Sequence, residues 1–435
     1  MSTVAEVVLW GRTIGAVALA DGSDVAEFQY DPAFAQSGIQ IAPVMMPLSN
    51  QVYRFPALSR DSFHGLPGML ADALPDKFGN ALINAWLATQ GRAPDSFNAV
   101  ERLCYTGNRG MGALEFRPVM GPRPRTSQRL DMDALVNLAS EVLSHRQDLQ
   151  VHFHAPKQAE ALKDILRIGT SAGGARAKAV IAWNPSTNEV RSGQVRAPAG
   201  FEYWLLKFDG VRNNQDKELA DPQGYGAIEY AYSLMARDAG ILMAECRLLE
   251  ENGRRHFMTK RFDRRADGSK LHMQSLGAMA HLDFNMAGVH SYEEALLTLR
   301  RLGLSRDAVE QQFRRMVFNI VARNQDDHVK NIAFLMDQTG QWALSPAFDV
   351  SYSYQPKGEW TAHHQMSLNA KRDDFTREDF RMCANLATLP RGRSDAILGE
   401  VREVVARWPE YARRVGVPSG DIRRIEKTLR LDPFP

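Results

Sequence analysis

Along the chain, apolar and polar positions change rhythm twice. Near the start, short apolar runs alternate with turn residues. Residues 7–10 are apolar, Gly11-Arg12 is turn-like, 14–19 is apolar again, and Asp21-Gly22 closes the run. That spacing predicts strand, turn, strand. Residues 26–30 and 39–44 have the same character and are expected to add strands. Between residues 68 and 93 the period lengthens. Met69, Leu70, Leu74, Phe78, Leu82, Ile83 and Trp86 recur at helical spacing. The run GNRGMGALEFRP, around residue 110, reads as a Gly-rich loop entering a short strand. The stretch 121–130, GPRPRTSQRL, reads as a linker, because Pro122 and Pro124 forbid regular helix and the flanks are polar.

A helical pattern restarts over 130–143, and two strands are predicted at 177–183 and 203–208. From residue 225 helices dominate. Residues 228–239 end at Gly240, 292–302 end at Gly303, and 304–323 open around Ser305. One hairpin is expected to interrupt them, running from 332–337 through Gln338-Thr339-Gly340 to 342–348. Residues 375–430 are again amphipathic helix. No internal repeat or low-complexity tract stands out.

Composition narrows this picture. A chain of 435 residues predicts two or three domains and can bury a core without staples. Hydrophobic residues make up 44% and charged residues 24%, so disorder is not the default. The net charge of +2 supplies no global field toward nucleic acid, leaving only local patches such as RTSQRL or RRADGSK (264–270). Cys104, Cys246 and Cys383 are odd in number and far apart, without metal-type spacing, as expected in a reducing cytoplasm. The opening MSTVAEVVLWGRT does not read as a secretory signal, and no stretch approaches the roughly 18 apolar residues of a membrane span.

The chemistry concentrates in RNQDDHVKNIAFLMDQTGQWALSPAFDVS (323–351). A helix leads into a loop holding Asp326, His328 and Asn331, a hairpin follows, and Asp349 stands at its far end. Phosphoryl transfer needs a carboxylate for the proton of the attacking hydroxyl and oxygen ligands for Mg²⁺. In protein kinases the catalytic-loop Asp and the Mg-binding Asn are five positions apart. Asp326 and Asn331 have that separation, and Asp349 follows Asn331 by 18 positions. Val-Ser follows it rather than Phe-Gly, so this is not the DFG form.

Two further elements fit the same chemistry. In LRIGTSAGGARAKAVIAWN (166–184), small and Gly residues precede a strand carrying Lys178, and such loops bring backbone N–H groups to phosphates. In YWLLKFDG (203–210), Lys207 ends an apolar strand, the place of a phosphate-clamping lysine, with Glu229 as a candidate ion-pair partner. Each element has an ordinary alternative. Asp, His and Asn populate turns, Ser-Ala-Gly-Gly is a common turn, and a lysine at a strand end often snorkels. The helix–loop–hairpin–Asp order tips the reading toward phosphotransfer.

Taken together, these segments resemble the HipA family of toxin kinases over nearly the whole chain. VLWGRTIGAVAL and FHGLPGMLADALPDKFGN (63–80) resemble the family's N-terminal subdomain. TSAGGARAK resembles its nucleotide loop, TKRFDRR (259–265) its hinge motif, DDHVKN its catalytic loop and PAFDVS its metal-binding segment. Two positions depart: Ile228 stands where the family has Asn, and Lys260 where it often has Glu.

The resemblance implies a two-lobed, protein-kinase-like α+β fold, with a β-rich N-terminal subdomain and a mostly helical C-lobe. The expected division is 1–120, 121–260 and 261–435. ATP and Mg²⁺ would sit between the lobes. Asp326 would be the catalytic base and His328 would support its loop. Asn331 and Asp349 would bind Mg²⁺. Ser171, Ala172, Gly173, Gly174, Lys178, Lys207, Lys260 and Phe262 would surround the nucleotide. Ser171, with Thr170 as rival, falls where the family carries an autophosphorylated serine. A phosphate there adds about −1.5 to −2 charges and would repel ATP. The implied partners are a HipB-like helix-turn-helix antitoxin, operator DNA mainly through it, and a protein substrate such as glutamyl-tRNA synthetase, whose phosphorylation would arrest growth. The alternatives are a small-molecule phosphotransferase and a catalytically inactive corepressor or antitoxin-binding module.

Overall fold

Trp10 and Gly11 take positive φ angles of 50° and 81°, closing the first hairpin in two residues. This pair of left-handed residues matches the twist of the strands it joins. Thr3–Leu9 (β1) and Arg12–Leu19 (β2) pair antiparallel from Leu9↔Arg12 outward. Glu27–Tyr30 (β3), Val52–Tyr53 (β4) and Leu114–Arg117 (β5) complete a sheet of order β4-β3-β2-β1-β5. Its inner face buries Val7, Leu9, Phe28 and Tyr30 against Met69, Leu70 and Leu103. The computed structural model describes residues 2–93, 96–120, 129–144, 177–211, 224–265, 267–432 and 434.

Residues 39–44 are not the expected strand. They form a turn closed by an Ala42↔Met46 bridge, in which Pro43 has no N–H to give a ladder. Ile41, Ala42 and Met46 are apolar because they are buried in this core. The helical pattern of 68–93 also divides. Gly68–Ala71 is one short helix and Lys77–Thr89 a second. Pro75 separates them, and Asp76 starts the second by accepting the Gly79 N–H at 2.6 Å. This second helix leaves the first core. Phe78, Ala81, Leu82 and Ala85 pack with Trp204, Leu206 and Met258 of the next sheet.

That sheet runs β7-β6-β8-β10-β9, antiparallel throughout. Its strands are Lys178–Trp183 (β6), Val190–Ser192 (β7), Glu202–Lys207 (β8), Cys246–Glu251 (β9) and Arg254–Lys260 (β10). The β9–β10 hairpin corrects the expectation of helices with one hairpin beyond residue 225. Its alternation is masked, since the exposed Arg247 and Glu250 fall on opposite faces of β9. The readable signal is Asn252-Gly253, at φ 46° and 77°.

The expected hairpin near 332–348 is present as Ala333–Met336 (β12) and Trp342–Leu344 (β13), joined by His272–Ser275 (β11). Met336 and Trp342 reach the core of the first sheet. The remaining mass is helical, centred on Tyr225–Asp238, Tyr292–Arg301 and Arg306–Val321. Four helices between Arg377 and Glu426 flank them. Ser291 and Glu294 form a capping box, and Ser305 caps the next helix through Ala308. Tyr232, Phe313, Phe318 and Trp408 are fully buried in this helical core. Each such side chain contributes about 1.5–3 kcal/mol. The architecture is α+β, as expected. Among the described residues no helix is long and apolar enough to cross a membrane.

Candidate active site

Strand register assembles the first half of the site. Lys207, at the end of β8, stands opposite Lys178 on β6 and Phe257 on β10. Paired residues on neighbouring strands share a face, so both lysines project the same way. Two like charges there need carboxylates, and three converge. Lys207 Nζ lies 2.6 Å from Glu229 Oε1 and 2.5 Å from Asp349 Oδ1. Glu229 is buried on the Tyr225–Asp238 helix. Lys178, also buried, lies 3.4 Å from Asp76 Oδ2, which belongs to the N-terminal part of the chain.

Asp349 follows the third sheet and adopts φ 56°. A left-handed residue with a side chain costs about 1–2 kcal/mol, a form of strain that clusters at functional sites. Burial opposes its charge, but Lys207, Lys178 and His328 hold the carboxyl well below its ordinary range. Its side chain nevertheless keeps 37% exposure.

The second half is the loop after the Arg306–Val321 helix. Arg323, at φ 55°, turns the chain out of that helix. The adjacent acids then part. Asp326 points outward, with 43% side-chain exposure, and His328 Nε2 lies 3.9 Å from its Oδ1. Asp327 points inward and is fully buried. It accepts from Tyr292 Oη at 2.5 Å, the Gln365 N–H at 2.7 Å and His364 Nδ1 at 2.7 Å. Burial raises the cost of its charge, but His364 and these donors keep its pKa below the ordinary value. No role is expected of Asp327 from the sequence, because nothing in Asp-Asp says which acid turns inward.

Asn331 Nδ2 donates to the Asp326 carbonyl at 2.8 Å, bracing the loop across its width. That bond uses the amide nitrogen and leaves Oδ1 as an acceptor. Phe284 packs on the His328 ring at 6.0 Å and lies under Lys330 Nζ at 4.2 Å.

Of the remaining expected residues, Phe262 meets Phe348, beside Asp349, with ring centroids 5.4 Å apart. Lys260 pairs with Trp204, three positions before Lys207 and so of opposite parity, and its side chain lies on the opposite face. There Nζ bonds Glu202 at 2.6 Å and Glu245 at 3.2 Å, away from the lysine pair. Thr170, Ser171, Ala172, Gly173 and Gly174 lie outside the described residues.

The charges of TKRFDRR also do something the sequence did not suggest. Asp263 is fully buried between Arg261 at 2.6 Å and Arg264 at 2.9 Å, and it accepts the Gly112 N–H at 2.7 Å. Both arginines bond the Gly110 carbonyl, so this cluster docks the early Gly-rich loop onto the second sheet. Lys270 turns to Glu115 at 2.8 Å. Arg264 and Lys270 of RRADGSK are thereby engaged internally rather than displayed as a basic surface.

Chemically, the cleft combines a clamped cation, a half-exposed acid beside a neutral amide, and a second acid held ionised. Asp349 and Asn331 Oδ1 are hard oxygen donors of the kind that would hold Mg²⁺.

A family model for the HipA-like C-terminal domain matches residues 170–408, and one for the HipA N-terminal domain matches 5–117. The chain belongs to the HipA family. Among solved structures it is similar to the HipA of Shewanella oneidensis MR-1, determined as a toxin–antitoxin complex with HipB and operator DNA. That match has TM-score 0.66 and 17% identity over 98% of this chain and 96% of the other. It establishes the two-lobed, kinase-like HipA fold. A Helicobacter pylori proinflammatory kinase, CtkA, overlaps at TM-score 0.35 and 12% identity, over 59% of this chain and 90% of that one, and carries no weight here. No curated protein matches the chain.

Proposed function

We propose that this HipA-family protein is an ATP- and Mg²⁺-dependent protein serine/threonine kinase. The observation that carries the reading is Lys207, held at 2.6 Å by Glu229 and at 2.5 Å by Asp349. His328 acts electrostatically on that same Asp349, linking it to the Asp326 loop.

Each side chain then has a task. Asp326 accepts the proton of the acceptor hydroxyl as that oxygen attacks. Asn331 fixes Asp326 through its carbonyl and offers Oδ1 to the metal, which Asp349 also binds. Lys207 offsets phosphate charge, and Glu229 keeps it aimed. Lys178 adds a second positive charge on the same sheet face, and Phe262 lines the adenine side. His328 supports the loop. When bound, Mg-ATP supplies the transferable phosphoryl group and the metal that screens its charge.

We further propose that the protein is the toxin of a HipBA-like pair. It would be held by a helix-turn-helix antitoxin on operator DNA, by analogy with the Shewanella complex of HipA, HipB and operator DNA. An aminoacyl-tRNA synthetase, glutamyl-tRNA synthetase first, is the substrate class the family resemblance favours. Phosphorylation of Ser171 would silence the enzyme by repelling nucleotide.

Intact-mass spectrometry after incubation with Mg-ATP tests this, with Asp326→Ala and Asp349→Asn alongside. Wild type is expected to gain phosphate, mapped to Ser171, while both variants gain none. A wild type that carries no phosphate, gains none and binds no ATP overturns the kinase reading.

A further inference from the structure

Behind the catalytic loop runs a chain of buried polar contacts that the proposed chemistry does not use. It starts at Asp327, passes through His364 and ends on Arg430, in the segment after the last helix. His364 Nδ1 lies 2.7 Å from Asp327 Oδ2, and its Nε2 lies 3.0 Å from Arg430 Nη1. A guanidinium can only donate, so Nε2 must be the acceptor and the ring proton must sit on Nδ1, aimed at Asp327. Burial, with Arg430 adding its charge, keeps His364 below its ordinary pKa despite Asp327, consistent with a neutral ring.

The same segment grips the loop's entrance. Arg430 Nη1 donates to the Ile320 carbonyl at 2.7 Å, and its backbone N–H to the Val321 carbonyl at 3.0 Å. Arg323 Nε donates to the Thr428 carbonyl at 2.8 Å. Asp373 joins both arginines, at 2.6 Å from Arg430 and 3.7 Å from Arg323. Thus one short segment holds the helix end, the left-handed turn at Arg323 and, through His364, the acid next to Asp326.

We propose that His364 and Arg430 are positioning residues of the catalytic loop: Arg430 fixes the His364 tautomer, His364 anchors Asp327, and Asp327 sets the direction of Asp326. The proposal rests on the kinase reading for its effect on rate, but its geometry can be tested separately. A loop misplaced by about 1 Å can cost on the order of 10²-fold in rate. His364→Leu removes both contacts. His364→Asn keeps a donor toward Asp327 and loses the link to Arg430. Arg430→Gln keeps a donor but lacks the rigid fork.

In the full-length protein, His364→Leu is expected to lower kcat for phosphate gain about 10²-fold with the KM for ATP unchanged, and His364→Asn to recover most of that loss. Arg430→Gln is expected to fall between them. Hydrogen exchange supplies the second readout: amides of 324–331 should exchange faster in His364→Leu and Arg430→Gln by more than the amides of the first and second sheets, which report any global loss of stability. If wild type transfers no phosphate, the kinase reading fails and the exchange arm alone decides the anchoring. Unchanged exchange in the loop overturns the proposal. Equal losses in His364→Leu and His364→Asn overturn the role assigned to the Nδ1 donor.

Discussion

Two carboxylates of this protein sit in short ion pairs and are held below their ordinary pKa, yet they have opposite characters. Asp263 is closed. Arg261 reaches both of its oxygens, at 2.9 and 2.6 Å, Arg264 adds a bond at 2.9 Å, and Gly112 another at 2.7 Å, with no side-chain exposure. Asp349 is open, with 37% exposure and a lysine as its short contact. Arginine presents a rigid planar fork, whereas lysine is a point charge on a flexible stem. The closed set is built to keep its partners and hold two parts of the fold together. On the proposed kinase reading, the open set is the one that would change partners when phosphate and metal arrive.

The comparison breaks most visibly at Asp263. Asp263→Asn leaves two buried arginines without a carboxylate and is expected to cost about 3–5 kcal/mol of unfolding free energy, read by denaturant titration. Acid should reveal an effect at least as large, spread over three histidines. Burial lowers His256 and His281 to about 4 and His272 to about 3. Unfolded, each binds a proton near its ordinary 6.5, which the native state refuses until pH about 4 or 3. Stability should therefore fall as pH drops from 6.5 toward 4, by up to about 1.4 kcal/mol per pH unit for each histidine. His281→Gln, whose amide oxygen can still accept from Gly68, should flatten that slope.

Asp349→Asn removes a charge that Lys207 and Lys178 favour, so a loss of about 1–2 kcal/mol is expected after allowance for its 37% exposure, with Lys207 retaining Glu229. The same variant should nonetheless lose phosphate transfer by about 10²–10³-fold in the mass assay. Equal destabilisation by Asp349→Asn and Asp263→Asn would erase the distinction between the two sets. Asp76→Asn sharpens the comparison from a third position. Burial pushes the Asp76 pKa up, and Lys178 and the Gly79 N–H oppose this only in part. The asparagine keeps the helix cap and relieves the burial penalty on the carboxylate while removing the charge that faces Lys178, so a change of less than about 1 kcal/mol is expected by thermal unfolding.

Much of this was legible along the chain, for a physical reason. Periodicity is a local property, so the first hairpin, the helices from Tyr292 to Val321 and the hairpin after Asn331 could be read directly. The spacing of Asp326, Asn331 and Asp349 could be read too, because loop and hairpin lengths set it. The β9–β10 hairpin escaped because charged residues fall on both faces of β9 and break the alternation, although Asn252-Gly253 marked its turn. The face that the Lys260 side chain takes was not legible, because a motif names a position without its strand parity.

By itself, then, the sequence determined most of the elements, the kind of fold and the residue types of the loop that holds Asp326 and Asn331. Only the tertiary structure decided which of two adjacent acids faces the cleft, which lysine shares a face with Lys207, and that Asp76 meets Lys178 across 102 positions. Those outcomes depend on where distant segments return to one another. Burial and pairing there are settled by what arrives opposite, which no local pattern encodes.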